Sequence, residues 1–283
     1  MIDLHTHSNA SDGTYSPEDL VKTAIEQGIS HLALTDHDTT DGLDEFTGTE
    51  TEIRLIPGIE LSVDFPIGEL HIVGLFIDKN TTEMVDVVSE VKEYRAERNE
   101  KLLKKLSALL KRNIKISDII NNPSSQLGKP HIAKFLLRNG IVATLQEAFN
   151  EYLSSDGVLS VPKRRISVER AFSCIKSSGG VVILAHPSTL CLGDKELDTL
   201  IYDYRNKGLD GIEVFSSHSP DEKKEIYLNL AHKYNLIISG GSDFHGGNSK
   251  VKKLGADLGN RNKEEVLKPL YCLARERGWK KPI

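Results

Sequence analysis

The chain has 283 residues, of which 39% are hydrophobic and 27% charged, with a formal net charge of -5. Such a length and composition fit one large α/β domain, or a domain carrying a smaller insertion, around an ordinary apolar core. They exclude a chain that needs covalent staples and one that binds nucleic acid by bulk electrostatics, although bound metals can reverse the local sign of a site for a small anionic substrate.

The three cysteines, Cys174, Cys191 and Cys272, are odd in number and widely spaced. That is neither a disulfide framework nor a thiolate zinc site, and we expect inert core residues in a reducing compartment. Met1-Ile2-Asp3 opens without a basic segment or a long apolar run, so no signal peptide is expected. No window has the apolar length that a bilayer needs. The expectation is a cytoplasmic chain with no membrane contact and no stable protein partner.

The first part reads as short β–α units. Ile2 to His5 is a brief apolar start. Ser16-Pro17-Glu18-Asp19 opens a helix, with Ser16 as N-cap and Pro17 in the first helical position, and Gly28 ends it. His31 to Thr35 is a strand that stops at Asp36-His37-Asp38. Ile53 to Ile56 is a strand leading through a Pro57-Gly58 turn to Glu60, and Leu70 to Ile77 is another, with His71 near its start. The character then changes. Thr81 to Arg112 is one long helix with charges on most faces. One helix follows from Pro130 to Gly140, and another starts at the capping box Thr144-Leu145-Gln146-Glu147. Residues 80–160 carry no strand signal and read as an all-helical insertion between barrel segments 1–79 and 161–283.

The β–α rhythm returns with a helix from Ser167 to Ser177 and a strand from Val181 to Ala185 that ends at His186-Pro187. A helix near Lys195 to Lys207 and a strand from Gly211 to Phe215 follow. Ser219-Pro220-Asp221-Glu222 starts a further helix, and Leu236 to Ser239 is a strand running into Ser242-Asp243-Phe244-His245. Alternation of this kind implies a parallel sheet. Polar residues recur at the ends of so many strands that a barrel is favoured over an open sheet, because barrel active sites are built at that rim.

Taken singly, each polar cluster has a bland counterpart. His5-Thr6-His7 can place two imidazoles on one face of an extended segment, or can be two surface histidines. Thr35-Asp36-His37-Asp38 can be a turn, and Glu60 alone means little. His71, in an apolar strand, can be a satisfied core histidine. Ala185-His186-Pro187 and Asp243-Phe244-His245 complete the set. Together, histidines and carboxylates at the ends of successive strands make a metal site the better reading. Imidazole and carboxylate without thiolate suit Zn, Mn or Fe. The ligands exceed what one ion can use, so more than one metal is expected, and clustered ions suit phosphoryl hydrolysis.

His5-x-His7, Thr35-Asp36-His37-Asp38, Pro57-Gly58-x-Glu60, His71, Ala185-His186-Pro187 and Ser242-Asp243-x-His245 resemble the motifs of the PHP (polymerase and histidinol phosphatase) superfamily. The match runs from one end of the chain to the other. The resemblance implies a distorted (βα)7 TIM-like barrel, here with a helical insertion, and a site for three divalent metals (Mn, Fe or Zn). It implies that His5, His7, Glu60 and Asp243 hold one ion. Glu60, His71 and His186 would hold a second, and Asp12, His37 and His245 a third. His5, His7, Glu60, Asp243 and His245 are expected to carry the catalysis. Many PHP proteins have histidine where this chain has Asp12, which favours a harder ion there, such as Mn or Fe.

Gly128-Lys129-Pro130-His131-Ile132-Ala133 and Val161-Pro162-Lys163-Arg164-Arg165 resemble the branch of the superfamily that hydrolyses nucleotide phosphates. That branch includes phosphatases of AMP and of nucleoside 3',5'-bisphosphates, and 5'-3' exoribonucleases acting on short RNA. Many members have Arg at the position of Lys129, and a lysine meets phosphate as a point charge without a bidentate fork. Lys129, His131, Arg164, Arg165 and His218 are the expected substrate contacts, although 163–165 can also be a solvated charge run. His218 or Glu213 can instead orient a metal ligand. Two rivals share the motifs: a histidinol phosphatase, for which an acidic pocket is expected, and a non-catalytic metal-binding module, in which ligands are usually lost.

Overall fold

The computed structural model describes residues 1–120, 127–154, 156–248, 251 and 253–280. The chain divides into two compact units: Met1–Ser89 with Ile166–Ile283, and Glu90–Arg165. The first unit begins with β1 (Ile2–Asp3), α1 (Pro17–Glu26), β2 (His31–Leu34), α2 (Leu43–Gly48), β3 (Arg54–Val63) and β4 (Leu70–Leu75). Then α3 (Thr82–Leu110) leads into the second unit, which holds α4 (Lys129–Arg138) and the short α5 (Leu145–Glu147). The first unit resumes with α6 (Val168–Ser177), β5 (Val181–Leu184), α7 (Asp194–Lys207), β6 (Gly211–Ser216), α8 (Asp221–Lys233), β7 (Ile237–Gly241) and α9 (Lys263–Glu276).

Among the described residues, seven strands form one sheet in sequence order. It closes on itself: Leu4 N–H donates to the Gly240 carbonyl at 3.2 Å, and Asp243 N–H donates to the His5 carbonyl at 2.9 Å. The result is the barrel expected. The sheet is not wholly parallel, however, because β4 runs antiparallel to both β3 and β5. Only residues 64–69 link β3 to β4, too few for a helical crossover, so the chain turns back as a hairpin. A second correction concerns Pro57-Gly58, which is not a turn but lies within β3. Pro57 is the pairing partner of Leu34 on β2 and lies one residue beyond the pairing with β4. A Cβ at Gly58 would stand 2.8 Å from the Gly74 carbonyl oxygen and 2.8 Å from Thr35 Cγ2, so the barrel wall requires glycine there.

Local signals explain the helices that frame the site. Ser16 and Ser167 accept hydrogen bonds from Asp19 N–H and Arg170 N–H as side-chain caps. Ser219 does not cap α8; Pro220 holds the N-cap position. The apolar core of this unit gathers Ile2, Leu4, Ala33, Ile56, Val73, Leu75 and Ile183. Val266, Leu267 and Leu270 of α9, a helix the sequence reading left unassigned, join them. Of the cysteines expected in the core only Cys174 is buried; Cys191 and Cys272 are exposed. The second unit has its own core, built by Leu102, Leu106, Ile132, Phe135, Leu136 and Ala148, and no strand among its described residues. No described helix is long and apolar enough to cross a membrane.

Candidate active site

One rim of the barrel collects the polar residues. His5 and His7 follow β1, His37 follows β2, His186 follows β5, and Asp243 and His245 follow β7. These strands run parallel to one another or through parallel neighbours, so the same rim receives their C-terminal ends. His71 joins from the other direction. It is the second residue of antiparallel β4, whose beginning pairs with the end of β3, His71 lying opposite Ser62. Glu60 sits inside β3 and is fully buried.

Glu60 is the centre of the arrangement. Its Oε2 lies 3.2 Å from His5 Nε2, 3.2 Å from His7 Nε2 and 2.9 Å from His37 Nδ1. Its Oε1 lies 3.0 Å from His71 Nδ1 and 2.9 Å from His186 Nε2. Asp243 Oδ1 approaches His7 Nε2 at 2.9 Å and His5 Nε2 at 3.5 Å. Asp12 Oδ1 approaches His245 Nε2 at 3.2 Å. Among the described residues, three groups have ligand atoms close enough to share an ion: His5, His7, Glu60 and Asp243; His37, Glu60 and His71; and His7, Asp12, His37 and His245. The first coincides with an expected set. His37 falls in two groups and His7 in two, and His186 reaches Glu60 from the side.

The hydrogen bonds behind these residues show what the atoms in front are for. Glu213 on β6 accepts from the backbone N–H of His186 at 2.7 Å and faces His5 Nδ1 at 3.2 Å, which places the His5 proton on Nδ1. Thr189 Oγ1 donates to backbone carbonyls and so accepts from His186 Nδ1 at 3.0 Å. The Asp243 carbonyl can only accept, which places the His245 proton on Nδ1 at 2.9 Å. In each case Nε2 is left facing a carboxylate, where either a second ring proton or a metal ion must lie. Two acceptors do not approach to 3 Å without a cation between them. Among the described residues His5 Nε2, His7 Nδ1 and Nε2, His37 Nδ1, His71 Nδ1, Glu60 Oε2 and Asp243 Oδ1 are buried without a directional hydrogen bond. A divalent metal satisfies such a donor set, and the residues present fit one.

The charge state agrees. Burial opposes it, but surrounding imidazoles, His37 and His5 foremost, hold Glu60 well below the usual carboxylate range. Asp243 is likewise held down, against burial, by His5 and by the hydrogen bond from His218. Burial pulls His37 down, yet the Glu60 and Asp12 carboxylates outweigh it and bring the imidazole up to about 10. The site is a sink for positive charge, whether protons or metal ions.

The backbone is held in place around it. His186 (φ 23°), Asp243 (φ 54°) and Asp38 (φ 54°) take left-handed conformations that non-glycine residues avoid, as residues at functional sites often do. A Cβ at Gly241 would stand 2.3 Å from His5 Cβ, so the end of β7 must be glycine for the His5 strand to pass. Asp3 accepts from Ser242 Oγ at 2.6 Å, Ser242 N–H at 2.8 Å and Gly255 N–H at 2.7 Å, tying β1 to the loop that carries Asp243. Asp36 accepts from Ser8 N–H, Ser8 Oγ and Ser11 Oγ and fixes the loop that carries Asp12. The sequence reading gave Asp3, Asp36 and Thr189 no role. A carboxylate inside the apolar run Ile2-Asp3-Leu4 was the available signal, since a buried carboxylate needs partners.

Glu213 is the residue of this outer layer with the most direct consequence. Glu213→Gln keeps the volume but leaves one acceptor for two donors. The expected result is a 10- to 100-fold loss of metal affinity or activity, the usual effect of removing a group that orients a ligand. Metal titration followed by elemental analysis checks it; unchanged affinity and rate would mean that His5 is held by other contacts.

Of the expected substrate contacts, His218 lies at the rim. Its Nε2 is 2.8 Å from Asp243 Oδ2, and its side chain is 45% exposed. The other four belong to the second unit. Lys129 begins α4, and His131 Nδ1 accepts from Gly128 N–H at 3.1 Å, closing the first turn of that helix. The Arg164 guanidinium lies 4.0 Å over the Tyr94 ring. Arg165 is the last residue of that unit. His31, for which the sequence suggested no function, lies 3.0 Å from Ser30 Oγ and edge-on to Tyr271, a structural place.

The model of the PHP domain matches residues 3–157. The chain belongs to the PHP family. This PHP chain is 34% identical over 250 residues to the 5'-3' exoribonuclease Rnm of Salmonella typhimurium, covering 87% of this chain and 85% of that protein. It is 33% identical over 249 residues to the 3',5'-nucleoside bisphosphate phosphatase of Chromobacterium violaceum, covering 86% and 87%. Its fold is similar to a solved protein from Bifidobacterium adolescentis described as a metal-dependent phosphoesterase, with a TM-score of 0.80, 29% identity, and 96% and 95% of the two chains covered. The chain is thus a metal-dependent phosphoric ester hydrolase, and its clusters of His, Asp and Glu support divalent metals.

Asp12 stands where the resemblance to the PHP motifs leads to histidine. Asp12→His is expected to keep a metal at the His37–His245 position and shift its preference from a harder ion toward zinc. Elemental analysis after loading with mixed metals decides. Loss of that ion alone would make Asp12 a hydrogen-bonding partner of His245 rather than a ligand.

Proposed function

We propose that this enzyme removes phosphate from nucleotides, AMP or nucleoside 3',5'-bisphosphates, or degrades short oligoribonucleotides from the 5' end. The observation that carries the catalytic part is the single buried carboxylate of Glu60 with five imidazoles converging on it. A non-catalytic module would be expected to have lost ligands, and here every motif position keeps a competent one. The substrate class is supported by the two relatives named for RNA and nucleoside bisphosphates, each similar over more than four fifths of this chain.

In this reading three ions would be held by His5, His7, Glu60 and Asp243, by Glu60, His71 and His186, and by Asp12, His37 and His245. When bound, such ions supply Lewis acidity toward the phosphate oxygens and lower the pKa of an attacking water; manganese is the first choice for this donor set. The protein's own part is placement. Glu213 and Thr189 fix the tautomers of His5 and His186. His218 holds one oxygen of Asp243 and, half exposed, can meet substrate. Lys129, His131, Arg164 and Arg165 are the proposed contacts that select the substrate. Their basic character opposes histidinol phosphate, whose imidazole and amine call for acidic partners.

A screen with Mn²⁺ for inorganic phosphate freed from AMP, a nucleoside 3',5'-bisphosphate and histidinol phosphate, and for mononucleotides freed from 5'-phosphorylated short RNA, tests this. Release from the nucleotides, with histidinol phosphate the poorest, is expected. Histidinol phosphate as the best substrate would overturn the substrate class, and no release by metal-loaded protein would overturn catalysis.

A further inference from the structure

The barrel has a second concave site at the end away from the metal ligands. β2 and β3 begin there, and their first residues, His31 and Arg54, are direct pairing partners. Both strands run from that end toward His37 and Glu60 at the other. α9 closes the opposite side. Glu264, Lys268, Tyr271 and Arg275 are spaced four, three and four residues apart, so they share one face of that helix. Strand register and helical spacing thus bring six side chains around one cavity of about 430 Å³, a volume in the range of small-molecule sites.

The floor of this cavity is apolar, since Leu267 and Tyr271 are both buried. Its walls are cationic. Arg54, Lys268 and Arg275 are exposed, and among the described residues none of the three side chains is in an ion pair or a hydrogen bond. One carboxylate, Glu264, stands against these three cations. His31 adds no charge. Its Nδ1 lies 3.0 Å from Ser30 Oγ, and burial, then Lys263 and Arg54, pull the imidazole down to about 4. Cations gathered around a concave space repel one another and are relieved by an anion. The two guanidinium forks match phosphate oxygens in particular, and the lysine adds a point charge.

We propose that Arg54, Lys268 and Arg275 form a phosphate-binding site at the end of the barrel opposite the metal ligands. Its ligand is a phosphate group, carried by a nucleotide-sized molecule whose body lies against the Leu267–Tyr271 floor, or free in solution. The site does not depend on which ester is hydrolysed at the metal rim.

Cys272 supplies a local reporter. It is exposed and lines the cavity, while the exposed Cys191 lies elsewhere and serves as the internal control. Full-length metal-loaded protein is alkylated with iodoacetamide, and modification of each cysteine is followed by peptide mass spectrometry. The probes are inorganic phosphate, the methylene phosphonate analogue of AMP (which has no ester bond to cleave) and uncharged adenosine. Phosphate and the phosphonate are expected to slow modification of Cys272 in a saturable way and to leave Cys191 unchanged, with adenosine ineffective. Arg54→Gln and Arg275→Gln, each checked for an unchanged melting profile, are expected to raise the protecting concentration roughly tenfold, as for the loss of one contact to a charged group. Arg54→Lys is expected to fall between wild type and Arg54→Gln. Protection by the phosphonate at lower concentration than by phosphate supports a phosphorylated organic ligand; equal protection by the two supports free phosphate. Unaltered Cys272 modification with both probes overturns the site, as does protection that neither glutamine variant weakens.

Discussion

Glu60→Gln is expected to leave a folded protein whose phosphate release has fallen by roughly 10³-fold or more, equivalent to about 4 kcal/mol of transition-state stabilisation. The substitution keeps the shape of the side chain and removes its charge. No other described residue is within 3.2 Å of five imidazoles, so no neighbour can take its place between the ligand groups. The amide nitrogen of glutamine is a donor and cannot face a metal ion or a protonated imidazole. His7→Ala and Asp243→Ala, which remove ligands of the same group, are expected to act in the same direction. Steady-state rates with elemental analysis separate the causes. Low rate with low metal content assigns Glu60 to metal retention, and low rate with full content assigns it to the charge presented at the reacting phosphate. Wild-type rate with full metal content would remove Glu60 from the site altogether.

Most of the candidate ligand residues were legible because they follow an apolar run and break it. Residues such as His37, His186 and Asp243 end strands, and a polar residue at that place has few structural reasons to exist. His71 was legible as a histidine but not in its direction. The period of an apolar strand is the same read either way, and only the short link of residues 64–69 reveals the antiparallel turn. Pro57-Gly58 misled for a related reason. The pair is a turn signal in isolation, and what makes it part of a strand is the backbone of Gly74 and the side chain of Thr35 pressing on Gly58 from other segments.

The layer that holds the ligands was the least visible. Asp3 and Asp36 act through hydrogen bonds to residues 239 and 25 to 28 positions away, and no local pattern encodes such partners. Glu213 stood out only as a carboxylate in a buried strand. His131 illustrates the opposite case. Its motif suggested a substrate contact, and the structure also gives it a local task, receiving the Gly128 N–H at the start of α4. A motif residue can hold a helix end and meet a ligand with different ring nitrogens, so the one role does not replace the other.

Exhaustive chelation is expected to abolish turnover, and added Mn²⁺ to restore it, with an apparent metal affinity that falls as pH falls. The sign follows from competition for one set of lone pairs. Without metal, His37 is raised to about 10, against the pull of burial, by Glu60 and Asp12, so it is protonated at neutral pH. His5 and His245 are raised by the same kind of neighbours. A ligand nitrogen must lose its proton before it can bind a metal, so loading releases protons. Each proton displaced changes the apparent affinity by about tenfold per pH unit while the pH lies below the pKa of the group. Glu60 and Asp243 do not contribute to this slope near neutrality, because both stay ionised far below it. Calorimetric titration of chelated protein with Mn²⁺ in two buffers of different ionisation enthalpy measures the released protons directly. Turnover persisting in protein shown by elemental analysis to be metal-free would sink the metal requirement. An affinity that does not change between mildly acidic and mildly alkaline buffer would show that the imidazoles are already deprotonated and that the carboxylates do not hold protons on them.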